Sequence, residues 1–236
     1  MFVCTFQAIT IPGTEQRASS LCYNGFMNLH NIAEIVATLR ERLTPVEQAE
    51  GMIDALLALQ PQARLAAVLV PLFVREGQPS LAFIRRSQEL RSHRGEIAFP
   101  GGGVEPLDSS PVATALREAR EEIGLDTAGI EVPGILPPLF TSVSNYLITP
   151  VVAFLPGGLG TLRLQESEVT EVIVASLVGL ANPAIFHAEE WLRDGRAHTV
   201  YFYDYGPYRI WGATARMVKT LLNLLERDER GREQNQ

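Results

Sequence analysis

The acidic segment Arg117–Gly124 constrains the fold of this chain more than any other stretch. Ser110 can cap a helix, Pro111 suits the first helical position, and Gly124 suits the C-terminal stop. At about 100° per residue, four apolar side chains of this helix fall within roughly 60° of one another. They are Val112, Leu116, Ala119 and Ile123. The pattern therefore predicts a helix with one face against the core.

The same helix carries three glutamates on a separate face. Glu118, Glu121 and Glu122 have the spacing i, i+3 and i+4, which brings their carboxylates together. Because these carboxylates repel one another, a stable helix needs a positive partner there, and a divalent cation with a preference for oxygen is the obvious candidate. Arg117 lies next to Glu121 on the helical wheel and can fix one carboxylate. The alternative is an ordinary solvated face.

A glycine-rich stretch, residues 99–103 (FPGGG), precedes the helix and is expected to form a turn. The run from Gly102 to Gly124 resembles the Nudix box. That pattern is a glycine, five residues, a glutamate, seven residues, and then Arg-Glu-apolar-x-Glu-Glu-x-Gly-apolar. The second half is complete here and ends at Leu125.

The first half of the box departs from the family pattern. Counted from Gly103, the glutamate position holds Ser109. Counted from Gly102, the acid is Asp108, and one extra residue precedes Arg117. The departure affects one outer contact of the box and leaves the helical carboxylates intact.

The resemblance implies a fold and a chemistry. The expected fold class is α/β, a Nudix-type α/β/α sandwich with a mixed β-sheet and an N-terminal helical extension. Mg²⁺ or Mn²⁺ would bind Glu118, Glu121, Glu122 and the backbone carbonyl of Gly102, and would support hydrolysis of a diphosphate linkage.

Two further roles follow from the resemblance. Arg117 belongs to the catalytic set because it would orient a carboxylate, without touching the substrate. The residue that accepts a proton from water is open between Glu121 and Glu168, since the family commonly places an extra glutamate on a later loop. Glu166 is the second choice on that loop, and a solvated carboxylate is the alternative for either.

A second resemblance lies just upstream of the glycines. The pattern Arg-Ser-x3-Arg-x3-Gly-x3-Phe-Pro-Gly-Gly is similar to the signature of the coenzyme A pyrophosphatase branch of the family. It is carried by Arg86, Ser87, Arg91, Gly95, Phe99, Pro100, Gly101 and Gly102. The signature normally opens with Leu-Leu-Thr and one more residue, whereas residues 82–85 read AFIR here.

This second resemblance implies a substrate. Arg86, Ser87, Arg91 and Arg94 would hold the phosphates of coenzyme A or acyl-coenzyme A, and cleavage would give 3′,5′-ADP and 4′-phosphopantetheine. The alternative is that this basic loop is an ordinary solvated connection without a role in substrate binding. The competing functions are a pyrophosphatase for ADP-ribose, NADH or a dinucleotide, and a non-catalytic nucleotide-binding regulator. A regulator would be expected to lose box carboxylates, and all three are present.

Four segments are expected along the chain. Residues 1–26 have no clear period and form a loose extension that precedes a candidate natural start at Met27. Residues 27–61 contain two apolar patterns of helical period and predict a helical hairpin packed on the domain. The domain itself spans residues 62–225, and the polar tail 226–236 cannot fold alone.

Several elements of the domain are predicted from local patterns. Residues 147–155 form an apolar strand, for which Pro150 suggests an edge or a bulge, and residues 139–145 form a polar loop. Residues 198–211 alternate aromatic and polar around Gly206-Pro207 and predict a hairpin, and an amphipathic helix closes the domain.

Composition excludes some classes of function. A net charge of −7 argues against a general nucleic-acid surface, although local arginines can still bind phosphates. No apolar run approaches the roughly 20 residues needed to span a membrane. Cys4 and Cys22 make no disulfide framework, so a reducing cytoplasm is the expected location. A homodimer is left open.

Overall fold

The computed structural model describes residues 25–90, 92–193 and 195–226. The expectations for the N-terminal extension up to residue 24, including Cys4 and Cys22, and for the tail after residue 226 lie outside these residues. The described part is an α/β/α sandwich, as the resemblance implied.

Within the described residues, the α-helices are α1 (Ile32–Arg42), α2 (Ala49–Leu59), α3 (Pro111–Ile123), α4 (Leu177–Leu180) and α5 (Gly212–Leu224). The strands of the large sheet are β1 (Arg64–Arg75), β2 (Gln78–Arg86), β3 (Ile97–Ala98), β4 (Gly101–Gly103), β5 (Glu131–Ile135), β6 (Leu139–Thr141), β7 (Tyr146–Phe154) and β8 (Val169–Ser176). A small sheet contains β9 (Phe186–Arg193), β10 (Arg196–Tyr205) and β11 (Tyr208–Trp211).

The large sheet is mixed and separates two apolar cores. Strand β1 runs parallel to β7 and antiparallel to β2 and β4, while β8 extends the sheet beyond β2. Successive side chains of a strand point to opposite faces. Accordingly, Leu81 and Phe83 lie in the core shared with α1 and α5, whereas Ala82 and Ile84 lie in the core shared with α3.

The two N-terminal helices lie on opposite faces of the large sheet, so the predicted hairpin is wrong. Ile35, Val36 and Leu39 of α1 are buried in the core that contains α5. Ala49 of α2 is buried in the other core, with α3. Between the helices, Thr44 forms a β-bridge with Ile135 of the edge strand β5. The chain therefore passes around this edge, which local periodicity cannot reveal.

Two expectations about the strands after α3 are also corrected. Strand β7 is central, with β1 on one side and β5 and β6 on the other. Pro150 is accommodated because the neighbour changes there: β6 pairs with residues up to Ile148, and β5 pairs from Val151 onward. The expected polar loop at residues 139–145 begins with strand β6, which pairs with the start of β7.

The predicted aromatic hairpin is confirmed as β10 and β11, but it belongs to a three-stranded sheet. Strand β9 was missed because its sequence, FHAEEWLR, alternates weakly between apolar and polar residues. Tyr203 and Tyr208 are buried in the core with the closing helix α5, so these two aromatic side chains pack.

The ends of α3 follow the prediction. The Ser110 side chain accepts a hydrogen bond from the Ala113 N–H, and Gly124 adopts a left-handed conformation with φ of 66°. Ala119 and Ile123 are fully buried, while Val112 and Leu116 are partly buried against the same core.

Ser110→Ala should lower the free energy of unfolding by about 1 kcal/mol, because the Ala113 N–H would lose its acceptor. Urea denaturation of the two proteins would measure this difference. Ser109→Ala is the matched control, because Ser110 and not its neighbour caps the helix. Equal losses for the two variants would contradict the capping role.

Candidate active site

The glycines before α3 form a strand, which corrects the expected glycine turn. Gly101, Gly102 and Gly103 of β4 lie opposite Val68, Ala67 and Ala66 of β1. A Cβ added at Gly101 would lie 2.4 Å from the backbone oxygen of Ala67. Glycine is therefore required for the close approach of β4 to β1, and this approach places the strand directly beside α3.

Glu122 is the most deeply buried carboxylate of the site. Its side chain is 3% exposed, and Oε2 accepts a hydrogen bond from the Gly101 N–H at 2.9 Å. Its other oxygen, Oε1, lies 3.8 Å from Nη1 of Arg86. Burial raises the pKa of Glu122 to about 8, despite these two contacts, because desolvation disfavours the charged form. A nearby cation would offset this cost.

Glu118 lies against Gly102. A Cβ added at Gly102 would come within 2.5 Å of the Glu118 Oε1 atom, so the missing side chain makes room for this carboxylate. Burial raises the pKa of Glu118, while the neighbouring Arg117 opposes the shift. The structure thus brings together Glu118, Glu122 and the Gly102 backbone, three of the four predicted metal ligands.

Arg117 binds several acceptors at once. Its Nη1 atom donates to Glu118 and to Glu121, in each case at 2.9 Å, and its Nη2 atom donates to the Gly103 carbonyl at 3.0 Å. This arrangement fits the expected role of orienting carboxylates. Glu121, the fourth predicted ligand, lies at the rim with its side chain 59% exposed.

Asp108 is a buried acid of the site to which the sequence analysis gave a position in the box but no role. Its carboxylate is 5% exposed and accepts hydrogen bonds from Nε and Nη2 of Arg117, both at 3.0 Å. Thr114 and the Glu105 N–H donate to it as well. Hydrogen bonds from Arg117 hold the pKa of Asp108 well below its usual range. Counting the box from Gly102 gave the correct acid, and Ser109 takes no part in this contact.

The loop before β8 places Glu168 near the carboxylates of α3. The Gln165 N–H donates to the Glu122 carbonyl at 2.9 Å, which ties this loop to the end of the helix. Burial is the largest cause of the raised pKa of Glu118 and of Glu122, and the negative charge of Glu168 makes a smaller contribution in the same direction. Glu166, the second choice, is exposed on the same loop.

Strand β2 supplies one arginine to this group, at the point where the basic loop begins. Arg86, at the end of β2, points toward Glu122, and its Nε atom donates to no acceptor within the described ranges. Arg94 is bonded to the Leu90 carbonyl and is exposed. Arg91 lies outside the described residues.

Ser87 has a different place from the one expected. It is 2% exposed, its N–H donates to the Glu168 carbonyl at 2.7 Å, and its hydroxyl accepts from the Glu89 N–H. Burial to this degree argues against direct contact between Ser87 and a substrate. The residue instead ties the basic loop to the Glu168 loop.

The donor set fits a hard divalent cation. Three carboxylates and a backbone carbonyl offer only oxygen, which Mg²⁺ and Mn²⁺ prefer. Across residues 25–90, 92–193 and 195–226, no three His, Cys, Asp or Glu side chains stand ready to hold an ion as they are oriented. As the side chains stand, Arg117 binds Oε1 of Glu118 and Oε2 of Glu121, one oxygen of each carboxylate.

Comparison with known proteins assigns the family. A model of the NUDIX domain matches residues 63–194, which include the strands β1, β2 and β4, helix α3 and the Glu168 loop. The chain belongs to the Nudix family. It is therefore a hydrolase of phosphorus-containing acid anhydrides that acts on nucleoside diphosphate linked compounds, and enzymes of this family generally need divalent metal ions.

Two of the relatives are 42% identical to this chain over the aligned residues. Both are uncharacterized Nudix hydrolases named NudL. The protein from Escherichia coli strain K12 matches over 158 residues, which are 67% of this chain and 81% of the relative. The protein from Photorhabdus laumondii matches over 163 residues, which are 69% of this chain and 86% of the relative. A MutT/nudix family protein of known structure from Enterococcus faecalis aligns over 82% of this chain and 73% of its own, with 16% identity and a TM-score of 0.43.

In the part of this chain that the structure describes, no helix is long and apolar enough to cross a membrane.

Proposed function

We propose that this protein hydrolyses the diphosphate linkage of coenzyme A or acyl-coenzyme A to 3′,5′-ADP and (acyl-)4′-phosphopantetheine, with Mg²⁺ or Mn²⁺. The observation that carries the proposal is the position of Arg86. Its guanidinium lies 3.8 Å from Glu122, so the first arginine of the coenzyme A signature reaches the carboxylate centre itself. A phosphate bound there would meet both a cation and the predicted metal ligands. The cytoplasmic location stays a prediction.

Each residue of the centre has a chemical task in this reaction. Glu118, Glu121, Glu122 and the Gly102 carbonyl would hold the metal, which supplies charge neutralisation at the phosphates when bound. Arg117 would keep the carboxylates oriented, since Asp108 and the Gly103 carbonyl anchor it from the other side. Arg86 would bind a phosphate of the nucleotide end, with Arg91 and Arg94 on the same loop.

Two glutamates are candidates for accepting the proton of the attacking water. Glu168 is close enough for its charge to contribute to the raised pKa of Glu118 and Glu122, and its loop is anchored to α3. Glu121 is bound to Arg117 at the rim of the site. Glu168→Gln and Glu121→Gln, compared at saturating metal and substrate, would separate them, since loss of the proton acceptor lowers kcat by roughly 10²- to 10⁴-fold.

A substrate panel tests the proposed specificity. The wild-type protein would be assayed with Mg²⁺ and with Mn²⁺ on coenzyme A, its oxidised and acyl forms, ADP-ribose, NADH and diadenosine polyphosphates. The proposal expects the highest kcat/KM for a coenzyme A compound, with 3′,5′-ADP as a product. A higher kcat/KM for ADP-ribose, NADH or a dinucleotide would establish the alternative pyrophosphatase. Binding without turnover of any compound would support a regulator.

Arg86→Ala should raise KM for coenzyme A by about tenfold or more, because a charged hydrogen bond to phosphate would be lost. The Arg91→Ala variant is expected to act in the same direction, and more on coenzyme A than on a plain nucleotide diphosphate compound. Arg75→Ala, on a strand end away from the loop, provides the control. Equal changes in KM for both substrates would contradict a loop specific for coenzyme A.

A further inference from the structure

The last residues of β2 present arginines to both faces of the large sheet. Arg85 and Arg86 are adjacent in the strand, so their side chains leave the sheet in opposite directions. Arg86 faces Glu122 on the α3 side. Arg85 faces the small sheet, where its guanidinium carbon lies 5.3 Å from the centre of the Tyr208 ring. A second polar group therefore lies on the opposite face of the large sheet from the site of the proposed reaction.

This second group is a network of three side chains. The Arg85 Nε atom lies 3.0 Å from Glu171 Oε2, an ion-pair contact in which the N–H is not aligned for a hydrogen bond, and the Tyr208 hydroxyl donates to Glu171 Oε1 at 2.5 Å. Both oxygens of Glu171 are therefore engaged. Tyr208 is 6% exposed, and burial raises its pKa to about 12. Its hydroxyl consequently remains a hydrogen-bond donor across the physiological range of pH.

A β-bulge connects this network to the site. Arg85 lies opposite Glu171, but Arg86 lies opposite Val169, so Thr170 is an extra residue on β8. The Thr170 hydroxyl donates to the Arg85 carbonyl at 3.3 Å. Bulges re-aim the side chains of the strand that contains them, and they are common beside active sites. Here the bulge separates Glu171, on one face, from the loop that ends in Glu168.

The backbone beyond the bulge joins the two loops of the site. The Ser87 N–H donates to the Glu168 carbonyl at 2.7 Å. Both sequence neighbours of Arg86 are therefore bound to β8 or the loop before it: Arg85 pairs with Glu171, and the Ser87 N–H donates to the Glu168 carbonyl. A shift of Glu171 along β8 would move both Arg86 and Glu168.

We infer that Tyr208, Glu171 and Arg85 form a positioning network that fixes the ends of β2 and β8, and with them the placement of Arg86 and Glu168. The small sheet thereby contributes to the site through Tyr208, although none of its residues reaches the carboxylates in the described parts of the chain. The inference rests on the proposed function only in assigning substrate binding to Arg86, and it does not depend on which nucleotide compound is cleaved.

Tyr208→Phe tests the network because it removes one hydroxyl and keeps the packing ring. Amide hydrogen exchange of residues 84–90, measured by mass spectrometry, should become about fivefold faster or more, since the strand end loses a fixed contact. With the best substrate of the panel, KM should rise about fivefold as Arg86 shifts, and any fall in kcat should be smaller than the fall in Glu168→Gln. Glu171→Gln should show the same pattern with a larger change.

Tyr205→Phe is the matched control. Tyr205 lies on the same hairpin, and its hydroxyl accepts from the Ser176 N–H at the opposite end of β8. This variant should leave both KM and exchange at residues 84–90 unchanged. In an Arg86→Ala background, Tyr208→Phe should raise KM by less than about twofold, because residues that act through one another are not additive.

Three outcomes would overturn the inference. They are unchanged exchange at residues 84–90 in Tyr208→Phe, a fully additive effect in the Arg86→Ala background, and a lower melting temperature with unchanged KM. Hydrogen exchange needs no turnover, so the network can be confirmed even if no compound of the panel is cleaved. Failure to cleave any compound of the panel would count against the proposed function and not against the network.

Discussion

Glu122→Gln is expected to lower kcat/KM by about 100-fold or more, equivalent to roughly 3 kcal/mol of transition-state stabilisation. Glutamine keeps the shape of the side chain and an oxygen that can accept from the Gly101 N–H. It cannot supply the negative charge that a divalent cation requires. The substitution therefore isolates the charge of the most buried carboxylate in the site.

The fold of this variant should be preserved. Ionised Glu122 is buried, and desolvation makes its charge unfavourable, as its raised pKa shows. Replacing this carboxyl group by a neutral amide should leave the melting temperature in metal-free buffer equal to or above that of the wild type. Calorimetric titration with Mn²⁺ should show weaker binding by about tenfold or more, since a charged ligand is lost.

Asp126→Asn is the control for Glu122→Gln. Asp126 is exposed just beyond α3, and its side chain accepts only from the Ala128 N–H in the described contacts. Its kcat/KM should stay within about twofold of the wild-type value. Near wild-type turnover by Glu122→Gln would remove Glu122 from the metal site and leave the carboxylate cluster without its central member.

Features fixed by neighbouring residues could be predicted from the sequence. The caps of α3 depend on Ser110 and Gly124, and its buried stripe depends on helical period alone. The carboxylate face follows from the same period, which explains why Glu118 and Glu122 were found. The coenzyme A signature indicated Arg86, and the later loop on which the family commonly places a glutamate indicated Glu168, without any knowledge of the sheet.

Features fixed by pairing between distant segments could not be predicted. Gly101–Gly103 are a strand only because β1 provides Ala66–Val68 as partners, and glycine has no strand propensity of its own. Helices α1 and α2 separate because Thr44 joins the edge strand β5. Strand β9 is stabilised by eight paired residues of β10, which its own weak alternation does not reveal.

Asp108 departs from the family motif in residue type and spacing but still binds the arginine of the motif, Arg117. The family pattern has a glutamate separated from a glycine by five residues. This chain has a shorter acid, Asp108, at the same separation from Gly102 but one residue further from Arg117. The loop before α3 brings the Asp108 carboxylate within 3.0 Å of two Arg117 nitrogens. Either acid can accept two parallel hydrogen bonds from an arginine. Aspartate is shorter by one methylene group, so its backbone must lie closer to the guanidinium.

Asp108→Asn should lower the free energy of unfolding by about 3 kcal/mol at pH 7, because the partly buried Arg117 would lose the charge that binds it most strongly. It should also lower kcat by roughly tenfold, since Arg117 would orient Glu118 and Glu121 less firmly. Urea denaturation and steady-state kinetics would measure the two effects. Glu105→Gln is the control, because Glu105 is 62% exposed and 3.8 Å from Arg117, and its loss should cost at most about 0.5 kcal/mol.

The pH dependence of this difference identifies its origin. The folded-state pKa of Asp108 lies far below the unfolded value of about 3.9, so its ionised form stabilises the fold above that value. This stabilisation is lost as the pH falls toward the folded-state pKa. The stability difference between wild type and Asp108→Asn should therefore be constant from pH 7 to pH 5 and smaller by about 1 kcal/mol at pH 3. A difference that stays the same at pH 3 would mean that the loss comes from altered packing, and that the ion pair with Arg117 does not hold the site together.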